Sequence, residues 1–233
     1  MVANCEVENG IAGLRGGFGQ NLRMRLFRRK DRPKDLPWST EGALSRRQYP
    51  DYAAYVAHQK AKLARTKGID AYEREFQAAL AKRLPEVRGL RVLCLGARRG
   101  AEVRAFRDAG ARAIGIDLNP GAKNAEVLPA DFHRLPFRRG SFDAVYSNSL
   151  DHAADLGVLT EEIALVLVTG GLFIVEAVAG SEEGEEPGSY ESFYWKRVDD
   201  LISALEGTGW RARSQRAFEY PWKGRQVIFR QLR

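Results

Sequence analysis

The chain has 233 residues, 44% hydrophobic and 29% charged, which is ordinary for a folded globular protein and excludes collagen-like, mucin-like and wholly disordered classes. This length favours one α/β domain with an appended segment over two domains of equal size. Lysine and arginine number 37 against 30 acidic residues, a formal net charge of +7, and the position of this excess bears on function more than its size does.

A basic arm, residues 1–37, opens the chain. Between Arg15 and Lys34 it carries eight basic residues against one acidic residue, Asp31, and glycines precede them. Such a run either binds a phosphate-rich partner such as RNA or forms a solvated arm. Like charges that follow glycines favour the solvated arm.

Residues 38–88 are predicted to form a helical extension. The segment from Tyr52 to Leu84 lacks proline and contains one glycine, Gly68, so it predicts two helices. In the second helix apolar residues recur every three or four positions and form one stripe that docks on a larger body; they are Ile69, Tyr72, Phe76, Ala79, Leu80 and Leu84. Pro85 ends this helix.

Residues 89–233 alternate short β-branched and leucine-rich runs with helical stretches, which is typical of a parallel sheet covered by helices on both faces. We predict an α/β fold, a doubly wound, mostly parallel, seven-stranded Rossmann-like sheet with an antiparallel C-terminal hairpin. The predicted strands are Arg91–Leu95, Ala113–Ile116, Glu126–Leu128, Ala144–Ser147, Leu172–Val178, Arg211–Tyr220 and Arg225–Leu232. Helices are predicted over Ala101–Ala109, Leu156–Val168 and Trp195–Glu206, with only a short connection between the second and third strands.

A turn with two glycines, Gly96 and Gly100, follows the first strand of this domain, at the sheet edge where ligands bind in open α/β folds. A dinucleotide fingerprint needs three glycines, so the nicotinamide alternative is weak. Asp117 ends the second strand, where a carboxylate can accept hydrogen bonds from ribose hydroxyls. A turn glycine pair beside a surface aspartate is the remaining alternative.

Five segments in this order resemble the class I S-adenosylmethionine-dependent methyltransferases, across most of Leu90 to Leu232. The segments are Val92–Gly96, Gly115–Leu118, Leu128–Phe137, Ser141–His152 and Gly170–Val175. The resemblance implies that S-adenosylmethionine is the cofactor and that it is bound by Gly96, Ala97, Arg98, Gly100, Asp117, Leu118, Asp131, Phe132 and Asn148.

Within this set the resemblance implies separate roles. Asp117 would bind the ribose, and Asp131 would bind the adenine amino group with Phe132 beside the ring. The family usually has a second glycine where Arg98 stands, so Arg98 or Arg99 would instead meet the methionine carboxylate.

His152 follows the fourth strand and aligns with a histidine common in related methyltransferases. A hydroxyl acceptor needs a general base, and His152 is the candidate for this role. His152 and its neighbour Asp151 form the candidate catalytic pair. One alternative is a His152 that only lines the pocket, beside a helix-capping Asp151. The other is a divalent metal site, such as one for Mg2+, that uses Asp151.

The loop after the fifth strand is rich in glutamate and leads into four aromatic residues, Tyr190, Phe193, Tyr194 and Trp195. Aromatic rings beside carboxylates suit a sugar or another polyhydroxyl acceptor, and core packing is an equal alternative. A faint overall likeness to actinobacterial enzymes that methylate sugars and polysaccharide precursors favours a carbohydrate hydroxyl.

The sequence therefore predicts an O-methyltransferase that acts on a hydroxyl of a small molecule or glycan, with a sugar favoured. The alternatives are an RNA methyltransferase that uses the basic arm, and a non-catalytic cofactor-binding module. The sequence argues against an RNA methyltransferase, because no Asn-Pro-Pro-Tyr-like motif, which is typical of enzymes that methylate amines, follows the fourth strand.

Location and assembly are inferred from simpler features. Glycines at 170 and 171 divide the longest apolar stretch, so no membrane span is expected. Cys5 and Cys94 have no CxxC partner, which fits a reducing cytoplasm. A monomer or a homodimer is expected.

Overall fold

The computed structural model describes residues 36–65 and 69–232. Cys5 and the basic arm, apart from residues 36 and 37, lie outside the described residues. Among the described residues no helix is both long enough and apolar enough to cross a bilayer.

A seven-stranded sheet forms the body of the protein and confirms the predicted fold class. Its strands are β3 (Arg91–Leu95), β4 (Arg112–Asp117), β5 (Val127–Pro129), β6 (Phe142–Ser147), β7 (Leu167–Val178), β9 (Trp210–Phe218) and β10 (Gly224–Gln231). Their order is β5-β4-β3-β6-β7-β10-β9. The strands from β5 to β7 pair in parallel, and β10 is antiparallel to both β7 and β9. This geometry brings the carboxyl ends of β3, β4 and β6 to one edge.

The central strands form because they can be buried on both faces. Val92 to Leu95 of β3 are fully buried, as a continuous apolar run in a parallel sheet requires. Helices α3 (Ala101–Asp108), α4 (Leu156–Val166) and α5 (Val198–Gly207) alternate with the strands. Residues 118–126 contain no helix, which agrees with the short connection predicted between the second and third strands of this domain.

Within residues 89–233, two boundaries differ from the sequence prediction by three residues or more. Strand β7 begins at Leu167, five residues earlier than predicted, because Gly170 adopts a φ of +75° and lets the chain pass through a register shift without leaving the sheet. The predicted start of α5 at Trp195 is wrong. Trp195 belongs instead to strand β8 (Phe193–Trp195), and the helix begins at Val198.

The N-terminal extension contains a hairpin that the sequence analysis did not predict. Strands β1 (Trp38–Glu41) and β2 (Leu44–Arg47) pair with each other, and β2 also pairs with β8 to form a separate three-stranded sheet. Arg47 strengthens this sheet, since its guanidinium donates to the carbonyls of Glu191 at 2.8 Å and Gly188 at 3.0 Å. The extension therefore holds the segment that follows β7.

Helices α1 (Tyr52–Arg65) and α2 (Ile69–Ala81) follow this hairpin, and two helices were predicted here. The predicted end at Pro85 is wrong, because α2 ends at Ala81 and Leu84 of the stripe lies beyond it. Phe76 and Leu80 of the predicted apolar stripe are fully buried, and α2 packs against α3. Just beyond α2, Arg83 makes a buried bidentate ion pair with Glu176 of β7 at 2.6 and 2.8 Å. Removing one partner of such a pair would leave an uncompensated buried charge, so this contact fixes the extension on the sheet.

Candidate active site

A cavity of about 600 Å3 lies at the carboxyl edge of the sheet, within the size range of small-molecule sites. Helix α1, the start of α2 and the segment 184–191 contribute to its walls. Nine of the predicted site residues line it: Gly96, Arg98, Leu118, Asp117, Phe132, Asn148, Asp151, His152 and Tyr190. Six others do not line it: Ala97, Gly100, Asp131, Phe193, Tyr194 and Trp195.

The turn after β3 brings backbone close to the cavity. Gly96 has a φ of +67°, and a Cβ at this position would lie 2.6 Å from the hydroxyl oxygen of Ser149. Any larger residue would therefore be strained and would collide with the loop after β6. A bound cofactor could approach the peptide backbone directly here.

Asp117 is held at the cavity wall by two backbone nitrogens. Its Oδ2 accepts from Arg98 N at 3.0 Å and its Oδ1 from Asn119 N at 2.7 Å. Each carboxylate oxygen has a second lone pair, so these bonds orient the group without exhausting its capacity. The arrangement fits an acceptor for a pair of ribose hydroxyls.

Arg98 lines the same cavity and is surrounded by two buried carboxylates. Its guanidinium lies 3.5 Å from Glu73 Oε1, 3.9 Å from Glu102 Oε1 and 4.9 Å from the ring centre of Tyr72. Burial and the nearby charge of Glu73 raise the pKa of Glu102 to about 8, although Arg98 opposes the shift. Asn148, also at the cavity, donates to Glu102 at 3.2 Å.

The predicted adenine segment is divided between two environments. Phe132 lines the cavity, whereas Asp131 accepts hydrogen bonds from the Tyr52 hydroxyl at 2.6 Å and from the His133 backbone at 2.9 Å. Burial acts in the opposite direction, but the bonds from His133 and Tyr52 hold the pKa of Asp131 below its ordinary value. Helix α1 thus contacts the carboxylate that the sequence analysis assigned to adenine.

The ring of His152 is hydrogen-bonded at both nitrogens. Nδ1 lies 2.9 Å from the Tyr190 carbonyl, and Nε2 lies 2.5 Å from the ammonium of Lys62. A carbonyl can only accept and an ammonium can only donate, so Nδ1 carries the proton and Nε2 presents its lone pair. Burial and the charge of Lys62 lower the pKa of His152, although Asp151 and Glu191 oppose the shift, which agrees with a neutral ring.

Asp151 lies beside this ring, with Oδ1 3.8 Å from Nε2 of His152. The helix-capping alternative for Asp151 is wrong, because Asp155 caps α4 by accepting from the backbone nitrogens of Gly157 and Val158. Asp151 belongs instead to a short 3-10 turn, Leu150–His152.

A third titratable group, Glu191, joins Asp151 and His152. One ligand atom from each of the three lies within 4.8 Å of the others, and two carboxylates with an imidazole form a donor set that could hold a metal ion. These three donors therefore leave open the divalent metal site at Asp151 that the sequence offered as an alternative.

The four aromatic residues assigned to the acceptor separate into two groups. Tyr190 borders the cavity although it is only 1% exposed, and it stacks on His58, with ring centres 4.8 Å apart. The other three form β8 and are at most 3% exposed within the hydrophobic core: Phe193, Tyr194 and Trp195. Their core position accounts for their apolar character.

Sequence reasoning missed the contribution of α1 to this site. Tyr55, Gln59 and Lys62 follow one another at helical spacing, and all three line the cavity. Tyr55 donates to the His152 carbonyl at 3.0 Å, and Gln59 donates to the Tyr190 carbonyl at 2.7 Å. The spacing of polar residues on one helix face was the available signal, but nothing in it identified the partners.

Comparison with known proteins agrees with this architecture. Residues 93–175 match a family model described as Methyltransferase domain. No curated protein matches the chain. The fold is similar to Burkholderia thailandensis 1,6-didemethyltoxoflavin-N1-methyltransferase, solved with 1,6-didemethyltoxoflavin and S-adenosylhomocysteine, at 17% identity and a TM-score of 0.61 over 85% of this chain and 100% of that one.

Two further structures show how widely this fold is used. A SAM-dependent methyltransferase from Aquifex aeolicus has 18% identity and a TM-score of 0.55, over 73% of this chain and 97% of that one. The [4+2]-cyclase SpnF has 17% identity and a TM-score of 0.54, over 70% of this chain and 82% of that one. At these identities the similarity establishes the fold, and the reaction has to be argued from the cavity.

Proposed function

We propose that this chain transfers a methyl group to a hydroxyl of a small molecule or glycan, with a sugar as the favoured acceptor. The chain carries a methyltransferase domain with the fold of the S-adenosylmethionine-dependent methyltransferases. The observation that carries the proposal is the state of His152. Its Nδ1 proton is donated to the Tyr190 carbonyl, and its Nε2 lone pair, which accepts from Lys62 in this structure, lies at the wall of the cavity.

The residues around the turn after β3 fit the cofactor. Asp117 would accept the ribose hydroxyls, Phe132 would pack against the adenine, and Arg98 would pair with the methionine carboxylate. Gly96 would allow close approach of the backbone. When bound, the cofactor supplies a methyl group that is already activated on a sulfonium centre.

The protein's own part in the reaction is positioning and proton transfer. Nε2 of His152 would take the proton of the acceptor hydroxyl, which makes that oxygen a competent nucleophile. Asp151 and Glu191 face the ring and would stabilise the imidazolium that results. Helix α1 and the segment 184–191 cover the cavity and would exclude water while the acceptor is held in line.

The composition of the cavity wall supports a polyhydroxyl acceptor. Glu185, Glu186 and Glu191 supply carboxylates that can accept hydrogen bonds from several hydroxyls. Tyr190 and Trp222 contribute little aromatic surface, since they are 1% and 8% exposed, so the support comes from the carboxylates. A cytoplasmic location and a monomeric or homodimeric state remain predictions of the sequence analysis. Mg2+, the added cofactor considered there, has no role in the proposed reaction.

A labelling experiment tests the proposed acceptor class. The protein would be incubated with S-adenosylmethionine labelled on its methyl group and, in parallel, with free sugars, nucleotide sugars, oligosaccharides and RNA. Mass spectrometry should find the label in an alkali-stable methyl ether of a carbohydrate. Label found only in RNA, or only on an amine, would replace the O-methylation proposal.

A further inference from the structure

Lys62 occupies an unexpected place in the candidate active site. It is contributed by α1, and its ammonium lies 2.5 Å from Nε2 of His152, the nitrogen assigned to proton uptake. Nδ1 of the same ring is bonded to the Tyr190 carbonyl. Both ring nitrogens are therefore engaged in this structure, and a metal ion would have to displace Lys62 to reach Nε2.

The surroundings of His152 explain why a cation is needed there. Asp151 and Glu191 bring two carboxylates to the ring, with donor atoms within 4.8 Å of one another and of the imidazole. Two negative charges beside a buried imidazole attract either a metal cation or a proton onto the ring. Lys62 supplies a positive charge from the protein itself, at the ring nitrogen that a metal would use.

We propose that Lys62 is the resident cation of the Asp151–His152–Glu191 cluster, and that it acts as a positioning residue which makes methyl transfer independent of a divalent metal. This inference rests on the proposed function for its catalytic part. Its charge offsets the two carboxylates, and its hydrogen bond orients the imidazole until an acceptor is present.

Binding of the acceptor would replace one hydrogen bond to Nε2 with another. The acceptor hydroxyl would replace the ammonium as donor to Nε2, and the long flexible lysine side chain would turn toward the neighbouring carboxylates. The hydroxyl proton would then move to Nε2 as the acceptor oxygen forms its bond to the methyl carbon. The bond between that carbon and the sulfonium sulfur would break, and the sulfur would leave as a neutral thioether. Lys62 keeps its own protons throughout, so it is neither consumed nor required to act as a base.

Metal binding provides a test that does not depend on knowing the acceptor. Mn2+ would be titrated into the wild type and into Lys62→Met, which keeps the length of the side chain without its charge. The wild type should bind Mn2+ at least about tenfold more weakly than Lys62→Met. Adding Glu191→Gln to Lys62→Met should abolish this gain in Mn2+ affinity, because it removes one of the metal-binding carboxylates. Lys60→Met is the matched control, because Lys60 lies exposed on the same helix.

Kinetics test the catalytic part. With an acceptor found by labelling, Lys62→Met should lower kcat by roughly 100-fold with little change in the affinity for S-adenosylhomocysteine, and Lys62→Arg, which keeps the charge, should recover part of the rate. A chelator should leave the wild-type rate unchanged. Thermal unfolding checks that each variant is folded.

Two results would overturn the inference: equal Mn2+ affinity in the wild type and in folded Lys62→Met, or full turnover by Lys62→Met. If no acceptor is ever methylated while the Mn2+ pattern holds, the proposed reaction fails and the assignment of Lys62 as the resident cation stands.

Discussion

Glu73 of α2 accepts a hydrogen bond from the backbone nitrogen of Ala101, the first residue of α3, at 3.0 Å. The N-terminal extension thus supplies the acceptor for a helix end that carries no side-chain cap of its own. The same carboxylate lies 3.5 Å from the guanidinium of Arg98, so one residue of the extension contacts both the start of α3 and the wall of the cavity.

Replacing Glu73 with alanine should therefore weaken folding and cofactor binding together. Loss of the cap should lower stability by about 1 to 2 kcal/mol. Arg98 would lose a buried partner, so the affinity for S-adenosylhomocysteine should also fall; thermal unfolding and calorimetry measure the two effects. Asp70→Ala is the control, because Asp70 is 68% exposed in a surface pair with Arg99 and should change neither quantity much. An unchanged melting temperature in Glu73→Ala would contradict the capping role.

Asp117 should determine cofactor affinity without governing the fold. Asp117→Asn removes a charged acceptor for the ribose hydroxyls and should weaken binding of S-adenosylmethionine by about 1 to 3 kcal/mol in a calorimetric titration. The chain should not bind NAD, because its turn has two glycines where the dinucleotide fingerprint needs three. Tight NAD binding without S-adenosylmethionine binding would reject the cofactor assignment.

His152→Ala should lower turnover by about 100-fold to 10,000-fold, the range for loss of a general base, while cofactor affinity stays nearly unchanged. The rate of the wild type should fall on the acidic side. Burial and Lys62 lower the pKa of His152 from 6.5, so the ring stays neutral at pH 7. The fall in rate should therefore begin below pH 6.5. Full turnover by His152→Ala on the true acceptor would exclude this role.

The carboxyl of Glu102 should make stability decrease as the solution becomes more alkaline. Its pKa is about 8 in the folded protein against 4.5 ordinarily, so between these values the folded state binds a proton that the unfolded state does not. Stability must then fall as pH rises through this interval. Glu102→Gln should raise the melting temperature at pH 8.5 relative to the wild type, and the difference should shrink toward pH 5. A difference independent of pH would show that Glu102 does not titrate there.

Deleting residues 1–32 should leave the melting temperature and the cofactor affinity unchanged. The first strand starts at Trp38, and Tyr55 is the first described residue to line the cavity. The same truncation tests the RNA alternative, since loss of a salt-sensitive RNA affinity would assign the basic arm to nucleic acid. A large drop in melting temperature would show that these residues pack on the domain.

Much of the fold could be predicted because its signals are local. The central strands contain short apolar runs such as Val92–Leu95 of β3, and the hairpin of β9 and β10 joins neighbours in the sequence. The pairing of β2 with β8 could not be predicted, because Leu44 and Trp195 belong to short strands about 150 residues apart and neither contains a signal for the other. Trp195 consequently looked like the start of a helix.

The candidate active site shows the same division. The sequence by itself placed Gly96, Asp117 and His152 at the cavity, because each lies at or just beyond the carboxyl end of a parallel strand, and these ends meet at one edge of the sheet. Only the tertiary structure decided that Lys62, 90 residues earlier, meets Nε2 of His152. That contact depends on how α1 packs on the loops at the carboxyl edge of the sheet. Packing is summed over the whole interface, and no local pattern of residues specifies it.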